Sequence, residues 1–405
     1  MIKLNKILFH FFFLFSFSLA QEKIVLFNVN VIDGLNSSIQ KDKMIFISNR
    51  KIESIKNSGS IPKGYKGIDL YGMYILPGFI DAHTHISSLN AAKRALESGV
   101  TTARSASTSS FQDVSLREMV KAGKLIGPDM IATGVFVTPN LGETILADVR
   151  LANLANGVNK ESELRKLVQI NADRGVDFIK TRGTERAGLP HTDPRKQTYT
   201  KKQLSIIVNE ATKFNIPVMA HAHGDEGGFA AVKAGVRSIE HGTYLSKNTL
   251  SLMKDKGTYL VPTFTTVVDL TEPGGDYDNP ILFIRGQHML PALEATIKIA
   301  YKMGVKIVTG ADTGYGPNST TRIGMEITNF VDLGMKPLDA IRSATIIGAE
   351  LLMIADKTGT IEVGKEADLI VVTKNPFKNI RTIQDVVFVM SNGEVALERI
   401  PFTKE

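Results

Sequence analysis

The sequence predicts an α/β fold: a (β/α)8 TIM barrel that carries a composite β-sandwich built from the N- and C-terminal segments. Three observations support this architecture. Short β-rich segments occur near both termini, strand-like and helical segments alternate between them, and histidines follow several of the strand-like segments. Because alternating strands and helices form parallel sheets covered by helices, the middle of the chain is expected to form the barrel.

The first 20 residues are expected to be a secretory signal peptide. Lys3 and Lys6 precede an apolar run, and Ser18 and Ala20 place small side chains at the two positions that matter for cleavage before Gln21. The apolar run is shorter than the ~20 residues that a membrane span requires, which favours cleavage over an uncleaved anchor. A lipoprotein is excluded because the chain contains no cysteine. We therefore expect a secreted or periplasmic protein without stable membrane insertion after cleavage.

Residues 21–76 and 354–405 are predicted to form the two halves of the β-sandwich. Turn residues such as Asp33-Gly34 and Asn49-Arg50 separate short β-rich segments in the first half, and Asn392-Gly393 predicts a hairpin in the second. Neither half alone buries much apolar surface, so we expect them to form one domain. The predicted strands are 24–28, 31–33, 44–48, 52–55, 74–76, 359–363, 368–373, 386–390 and 394–397.

Residues 77–353 are predicted to form the barrel. Helical patterns fill most gaps between the strand-like segments, for example over 200–214 and 292–303. Two longer segments, 138–160 and 263–290, are expected to be loops on the catalytic face, where long loops usually serve binding. The eight strand-like segments end near His85, Arg104, Val137, Lys180, His221, Glu240, Pro262 and Gly310.

The composition limits the classes of function. The chain has 405 residues, of which 43% are hydrophobic and 22% charged, as in ordinary globular proteins. Without cysteine there are no disulfides, thiolate ligands or cysteine nucleophile, so any metal must be held by His, Asp, Glu or a modified Lys. The net charge of +7 is scattered along the chain, so nucleic-acid binding is not expected.

Four histidines and one aspartate lie at the predicted strand ends. Residues i and i+2 of a strand share a face, so His83 and His85 can hold the same ion. The carboxyl ends of barrel strands converge, which places His221, His241 and Asp312 near them. Imidazoles and a carboxylate are typical zinc ligands, and they leave a position for water. A single histidine of this kind is more often a core residue, but the full set predicts a metal site.

Lys180 ends the fourth predicted strand, in the segment 175–180. An unmodified ammonium group beside two metal ions would be repelled by them. A lysine that has reacted with CO2 becomes a carbamate anion, which can bridge two cations. Its position alone leaves two interpretations open, a lysine that points to solvent and a bridging carbamate.

Seven segments resemble the metal-dependent amidohydrolase superfamily. Within that superfamily the chain is most similar to the imidazolonepropionase-like and prolidase-like group, which includes Xaa-Pro and Xaa-Arg/Lys dipeptidases. The matching segments span nearly the whole mature chain. They are LPGFIDAHTH (76–85), SGVTTAR (98–104), GVDFIK (175–180), PVMAHAHG (217–224), AGVRSIEHGTY (234–244), GVKIVTGADTG (304–314) and GTIEVGKEADLIVV (359–372).

The resemblance implies a site for two divalent ions, zinc or a similar cation. It implies that His83 and His85 bind the first ion, and that His221 and His241 bind the second. It also implies that Lys180 is carboxylated and bridges the two ions. If Lys180 is not carboxylated, we expect about one ion per chain.

Other residues receive roles around this predicted metal core. Asp312 resembles the eighth-strand residue that binds the first ion and carries the proton. His223, two residues beyond the fifth-strand ligand, is expected to contact the substrate or support a ligand, with a structural role equally open. Tyr244, Arg104 and Arg182 are candidates for contacting an anionic group of the substrate.

The resemblance implies an amidohydrolase in which metal-bound hydroxide attacks an amide carbonyl and Asp312 passes the proton to the leaving nitrogen, and the predicted signal peptide implies that it is exported. The expected substrate is a small molecule, a dipeptide or N-acyl amino acid. A cyclic amide or lactam hydrolase is the alternative, and a non-catalytic assembly protein of the same fold is a third.

Two segments depart from the family pattern. Ser105 follows Arg104 where many members have Asp, and residues 138–143 lack the Gly-Gly-His-Gly run of many dipeptidase-like members. The predicted metal core is unaffected by these departures, but a substrate contact is expected to differ. A homo-oligomer is left open.

Overall fold

A computed structural model describes residues 22–399 and shows an α/β protein. The predicted signal peptide lies outside the described residues. No helix within residues 22–399 combines the length and the apolar character that a membrane crossing requires. The strands are β1 Ile24–Val31, β2 Gln40–Ser48, β3 Lys51–Asn57, β4 Lys66–Asp69, β5 Tyr74–Pro77, β6 Phe79–Thr84, β7 Val100–Ser105, β8 Asp129–Ile131, β9 Ile179–Arg182, β10 Val218–Ala222, β11 Ser238–His241, β12 Tyr259–Val261, β13 Leu369–Val372, β14 Val386–Ser391 and β15 Glu394–Glu398.

Helices separate most of the central strands. They are α1 Leu89–Glu97, α2 Gln112–Lys121, α3 Glu161–Asp173, α4 Lys201–Thr212, α5 Asp225–Ala234, α6 Lys247–Lys256, α7 Phe264–Asp269, α8 Pro280–Met303, α9 Ile323–Asp332, α10 Pro337–Ser343 and α11 Ile346–Leu352. Short 3-10 helices occur at Gly142–Ala147, Val149–Leu154 and Ile380–Gln384.

Both ends of the described chain contribute to one mixed sheet. Seven of its eight strands follow the order β15-β14-β13-β5-β1-β2-β3, and the eighth, β4, pairs with the first part of β1. The antiparallel pair β13 and β5 joins the C-terminal strands to the N-terminal ones, with Val371 opposite Ile75. Apolar side chains of this sheet, such as Leu26 and Ile45, form a core separate from the main one. Burial of that shared core explains why the two distant segments associate.

The predicted strand at 359–363 is wrong. Ile361 N donates to Asp33 O, and Gly364 N donates to Ile52 O. These single hydrogen bonds fasten a turn to the first half of the sheet, and the ladder begins only at β13. Of the β-branched residues that suggested a strand, Ile361 is buried but Val363 is exposed.

The central strands are parallel and form two sheets, β6-β7-β8 and β9-β10-β11-β12. Single parallel bridges connect the remaining segments: Val137 with Thr181, Leu260 with Ile307, and Thr84 with Thr313. The carboxyl ends of the strands therefore lie on one side of the molecule. This side receives the side chains that the sequence singled out.

The third and eighth predicted strands are not formed as predicted. β8 ends at Ile131 rather than near Val137, and the segment that ends near Gly310 makes only isolated bridges. Side chains take the backbone amides that a strand would use. Asp113 Oδ2 accepts from Thr133 N at 2.8 Å, and Asp81 Oδ1 accepts from Ala311 N at 3.0 Å. Local side-chain bonds of this kind compete with a ladder.

The helix predicted at 200–214 is α4, which Thr200 begins through a capping box with Gln203. The helix predicted at 292–303 begins much earlier, because Asn279 caps α8 and Pro280 fits its first turn. The long loop predicted over 263–290 therefore contains α7 and the start of α8. Proline inside a helix usually ends it, but α8 continues through Pro291.

Candidate active site

A cavity of about 360 Å³ opens at the carboxyl ends of the parallel strands. All six residues predicted to bind metal line it, together with His223. These residues come from distant parts of the sequence, at 83–85, 180, 221–241 and 312. Strand ends of a parallel sheet meet at one edge, which explains this convergence. The lining residues from the strand ends are His83, His85, Lys180, His221, His223, His241 and Asp312.

His83 and His85 face Asp312 from the end of β6. His83 Nε2 lies 3.3 Å from Asp312 Oδ1, and His85 Nε2 lies 3.2 Å from the same oxygen. The other ring nitrogens are engaged: His83 Nδ1 lies 2.7 Å from Glu240 Oε2, and His85 Nδ1 lies 3.1 Å from Ser107 O. Hydrogen bonds at Nδ1 fix the ring orientation and leave Nε2 for a metal ion.

Three histidines at the ends of β10 and β11 form a second group, in which ligand atoms of His221, His223 and His241 all lie within 4.8 Å of one another. His223 Nδ1 hydrogen bonds with Thr243 Oγ1 at 2.8 Å, and His241 Nδ1 with Thr263 Oγ1 at 2.7 Å. Both therefore present Nε2 to the cavity. In His221 the arrangement is reversed, because Nε2 lies 2.9 Å from Glu185 O and Nδ1 is left available.

Burial holds this second group in the neutral form. It lowers the pKa of His221 and His241 well below the usual value, and neighbouring histidines add to the effect. Burial also lowers the pKa of His223 to about 3. The neutral imidazole is the form that binds metal. His223, expected to contact the substrate or to support a ligand, thus has the same donor chemistry as the two predicted ligands beside it.

Lys180 projects from β9 into the same cavity. Its Nζ is buried and has no hydrogen-bond partner among the described residues. The Phe136 ring centroid lies 5.7 Å away. Burial lowers the pKa of Lys180 to about 8, despite the opposing charges of Glu240 and Asp312. An amine with such a pKa is partly unprotonated near neutrality, which is the reactive form for carbamate formation.

Comparison with known proteins agrees with this geometry. The amidohydrolase family model matches residues 74–397, which is most of the chain.

The chain belongs to the amidohydrolase family.

Three relatives of this amidohydrolase indicate its chemistry. A Xaa-Pro dipeptidase solved with methionine in its active site is 30% identical, with a TM-score of 0.83, and the match covers 92% of this chain and 99% of that one. Ochratoxinase of Aspergillus niger is 25% identical over 394 residues, 85% of this chain and 80% of the relative. Imidazolonepropionase of Psychromonas ingrahamii is 23% identical over 371 residues, 82% and 87% of the two chains. The amidohydrolase is a hydrolase that acts on carbon–nitrogen bonds.

Arg104 is not available to a substrate of this amidohydrolase, which corrects the expectation from the sequence. It is fully buried and does not line the cavity. Its Nη2 donates to Glu240 Oε1 at 2.9 Å, and its Nε donates to Ala82 O at 2.7 Å. Arg104 therefore supports Glu240, whose other oxygen holds His83.

Glu240 is the functional residue that sequence reasoning missed. The sequence pattern marks it only as a strand end, yet it is fully buried and connects Arg104 to His83. Burial opposes its charge, but Arg104 and His83 lower the pKa of Glu240 to about 2. The signal was its place directly before His241 on a predicted strand, where a charged residue that becomes buried needs a partner.

Tyr244 is also placed differently from the expectation. Its hydroxyl lies 3.0 Å from His288 Nδ1, and the residue does not line the cavity. The chain turns away from the site after β11, because Tyr244 N donates to His223 O. In this structure the Tyr244 hydroxyl therefore contacts His288 and does not border the cavity.

Arg182 lines the cavity, and its contact with a substrate stays a prediction. Its Nε is buried without a hydrogen-bond partner, and its guanidinium lies 4.7 Å from the Phe136 ring centroid. Burial lowers the pKa of Arg182 to about 10, and the nearby Arg186 adds to this effect. Arg186 and Tyr277 also line the cavity and were not anticipated, because both come from loops without a recognisable pattern.

Proposed function

We propose that the protein is an exported, divalent-metal-dependent amidohydrolase that cleaves the amide bond of a dipeptide or N-acyl amino acid. The observation that carries this proposal is the convergence of imidazoles and Asp312 around the unpartnered Nζ of Lys180. Such donors suit a zinc-type ion. The family membership supports the same class of chemistry.

The residues present fit a pair of divalent ions. His83, His85 and Asp312 supply one set of donors, and His221 and His241 supply another. Lys180 lies in the same cavity, and its unpartnered amine suits a carbamate that bridges the two sets. His223 is an additional donor on the second side. Bound ions supply Lewis-acid chemistry, which lowers the pKa of water and polarises a carbonyl oxygen.

Asp312 carries out the proton transfer in this proposal. Its carboxylate accepts a proton as water adds to the amide carbon, and it donates that proton to the amide nitrogen as the carbon–nitrogen bond breaks. Asp312 lies among His83, His85 and His241, with Oδ2 3.9 Å from His241 Nδ1. Its left-handed backbone, with φ of 47°, is held by a hydrogen bond from Asp312 N to His83 O.

Arg182 and Arg186 are proposed to bind a carboxylate on the leaving amino acid. Both guanidinium groups border the cavity, and neither forms an ion pair with an acidic residue in residues 22–399. Guanidinium groups match carboxylates geometrically, through paired N–H donors. Apolar residues border the same cavity and suit an uncharged side chain of the substrate: Phe136, Leu141, Val267 and Leu270.

We further infer that the parallel strands close into the TIM barrel, with the mixed sheet as the accompanying β domain. The bridge from Val137 to Thr181 connects the segment after β8 to β9, and so links the two parallel sheets on one side. The bridges at Ile307 and Thr313 join them on the other.

Export rests on the first 20 residues alone, and detection of the mature N-terminus at Gln21 in a secreted fraction tests it.

The test of function is a hydrolysis screen with zinc-loaded and metal-depleted enzyme. Dipeptides, N-acyl amino acids and lactams are compared under the same conditions. We expect amide cleavage that is lost on metal removal and restored by zinc. Cleavage of lactams alone would favour the alternative of a cyclic-amide hydrolase, which is consistent with the similarity to imidazolonepropionase. Full activity without metal would refute the proposed chemistry.

A further inference from the structure

A second cavity, of about 600 Å³, lies at the amino ends of the parallel strands. Thr102 of β7 and Asp129, the first residue of β8, line one side of it. Glu366 and Asn392, which belong to the C-terminal part of the chain, line the other. The cavity therefore lies between the parallel strands and the mixed sheet, away from the histidines.

Three carboxylates cluster beside this cavity: Asp129 and Glu366 line it, and Asp368 lies close to both. Oxygen atoms of Asp129, Glu366 and Asp368 all lie within 4.8 Å of one another. Asp368 accepts from Asn392 N and from Thr358 Oγ1, both at 2.8 Å. Within residues 22–399 none of the three carboxylates forms an ion pair with lysine or arginine. This cluster is named the junction site.

A neutral hydroxyl oxygen at the same cavity, that of Thr102, lacks a hydrogen-bond partner within residues 22–399. Thr102 is 1% exposed, and its Oγ1 forms no hydrogen bond with the described residues. Thr102 pairs in register with Asp129 on the neighbouring strand, so both side chains stand on the same face. A buried hydroxyl without a partner is uncommon, and a ligand in the cavity would satisfy it.

The charges around the junction site are incompletely balanced. Arg50 and Lys121 border the cavity, but Arg50 pairs with Glu394 and Lys121 with Glu118. Lys357 also borders the cavity without contacting the three carboxylates closely enough for an ion pair. Burial raises the pKa of Asp368 to about 7, and burial also raises the pKa values of Asp129 and Glu366. Like charges held this closely favour a cation between them.

We propose that the junction site binds one calcium ion, which links β8 to the segment before β13. Its donors are all oxygen atoms, from Asp129, Glu366, Asp368 and Thr102. Calcium accepts six to eight oxygen ligands in irregular geometry, including water, whereas magnesium requires a near-ideal octahedron. The ion joins the parallel strands to the mixed sheet and stabilises their association. It takes no part in amide hydrolysis.

Calcium binding to the zinc-loaded protein tests this proposal. We expect one calcium ion per chain by equilibrium dialysis, with a dissociation constant on the order of 0.1–1 mM, as in extracellular modules. Saturating calcium should raise the unfolding temperature by about 2 °C or more. Glu366→Gln should weaken binding at least tenfold. Asp356→Asn is the matched control, because it removes an exposed neighbouring charge that is outside the cluster.

Two results would overturn the junction site. The first is no calcium bound by the original protein at 10 mM, a test that needs no variant. The second is equal calcium affinity in Glu366→Gln and Asp356→Asn. The proposal would also be wrong if the carboxylates share protons and bind no ion. In that case Asp368→Asn raises the unfolding temperature at pH 8 without calcium, and calcium changes the unfolding temperature of neither the variant nor the original protein. Amide hydrolysis is measured in parallel, and its failure leaves the calcium result unaffected.

Discussion

Glu240 Oε2 lies 2.7 Å from His83 Nδ1, and both side chains are almost completely buried. This contact fixes the imidazole so that its Nε2 faces Asp312. Supporting contacts of this kind usually change metal affinity by 10–100-fold. The position of a predicted ligand thus depends on a residue that the sequence did not identify.

Glu240→Gln is expected to weaken zinc binding at least tenfold, because the neutral amide holds His83 less firmly. The measurement is zinc affinity by competition with a chelator. Ser238→Ala is the matched control, since Ser238 Oγ donates to Glu240 Oε1 at 2.5 Å and does not touch His83. Equal affinities in the two variants would remove Glu240 from the metal site. The variant also leaves the buried Arg104 guanidinium without a charged partner, which should lower the free energy of unfolding by about 3 kcal/mol.

Lys180→Ala is expected to lose one of two zinc ions and most of the activity. Short-chain carboxylic acids should restore part of both, because a carboxylate can occupy the place of the carbamate. Zinc content by elemental analysis, with and without the acid, is the measurement. Lys180→Arg is the complementary variant: a guanidinium cannot form the carbamate, so full activity in this variant would contradict the bridging role.

Asp312→Asn is expected to reduce turnover at least ~100-fold, the usual scale for loss of a general acid–base group. The amide keeps the shape of the side chain but cannot accept the proton. Zinc content must be measured beside turnover, because Asp312 is also a proposed ligand. An unchanged rate with zinc retained would assign the proton transfer to another residue.

The sequence predicted which residues meet at the cavity more completely than it predicted the strands. His83, His85, Lys180 and Asp312 were identified because each follows an apolar segment, and a parallel sheet brings such ends together. The strand near Val137 was not predictable, since Asp113 and other distant side chains take its backbone amides. The burial of Arg104 against Glu240 was not predictable either. Which partner a buried charge finds is decided by packing between strands that are distant in sequence, and a linear pattern does not contain that information.

Glu326 predicts a pH dependence of stability. Burial raises its pKa to about 7, against hydrogen bonds from Phe264 N and Thr265 N, whereas the unfolded value is near 4.5. The native state therefore holds a proton that the unfolded state releases. The stability contributed by this group is fully present below about pH 4.5 and is lost as the pH rises through about 7.

Glu326→Gln mimics the protonated form and should remove this part of the pH dependence. Between pH 5 and pH 8 the free energy of unfolding of the original protein should fall more steeply than that of the variant, by on the order of 2–3 kcal/mol. Urea unfolding across this range measures it. Parallel curves for the two proteins would show that Glu326 is charged throughout. The comparison cancels the contributions of Asp81 and Asp368, whose pKa values are also raised, to about 6 and about 7.

The last prediction concerns the carboxylate of the substrate. Arg182 presents an unpartnered buried Nε at the cavity, and Arg186 borders the same cavity. A dipeptide that is cleaved should therefore lose kcat/KM when its C-terminal carboxylate is replaced by an amide. A hydrogen bond to a charged group contributes at least ~1.5 kcal/mol, which corresponds to a loss of about tenfold or more. Arg182→Met should reduce this discrimination without changing zinc content. Arg195→Met is the matched control, because Arg195 is exposed and paired with Asp193. Equal kcat/KM for acid and amide in the original enzyme would place the carboxylate elsewhere and favour a cyclic or uncharged amide as the substrate.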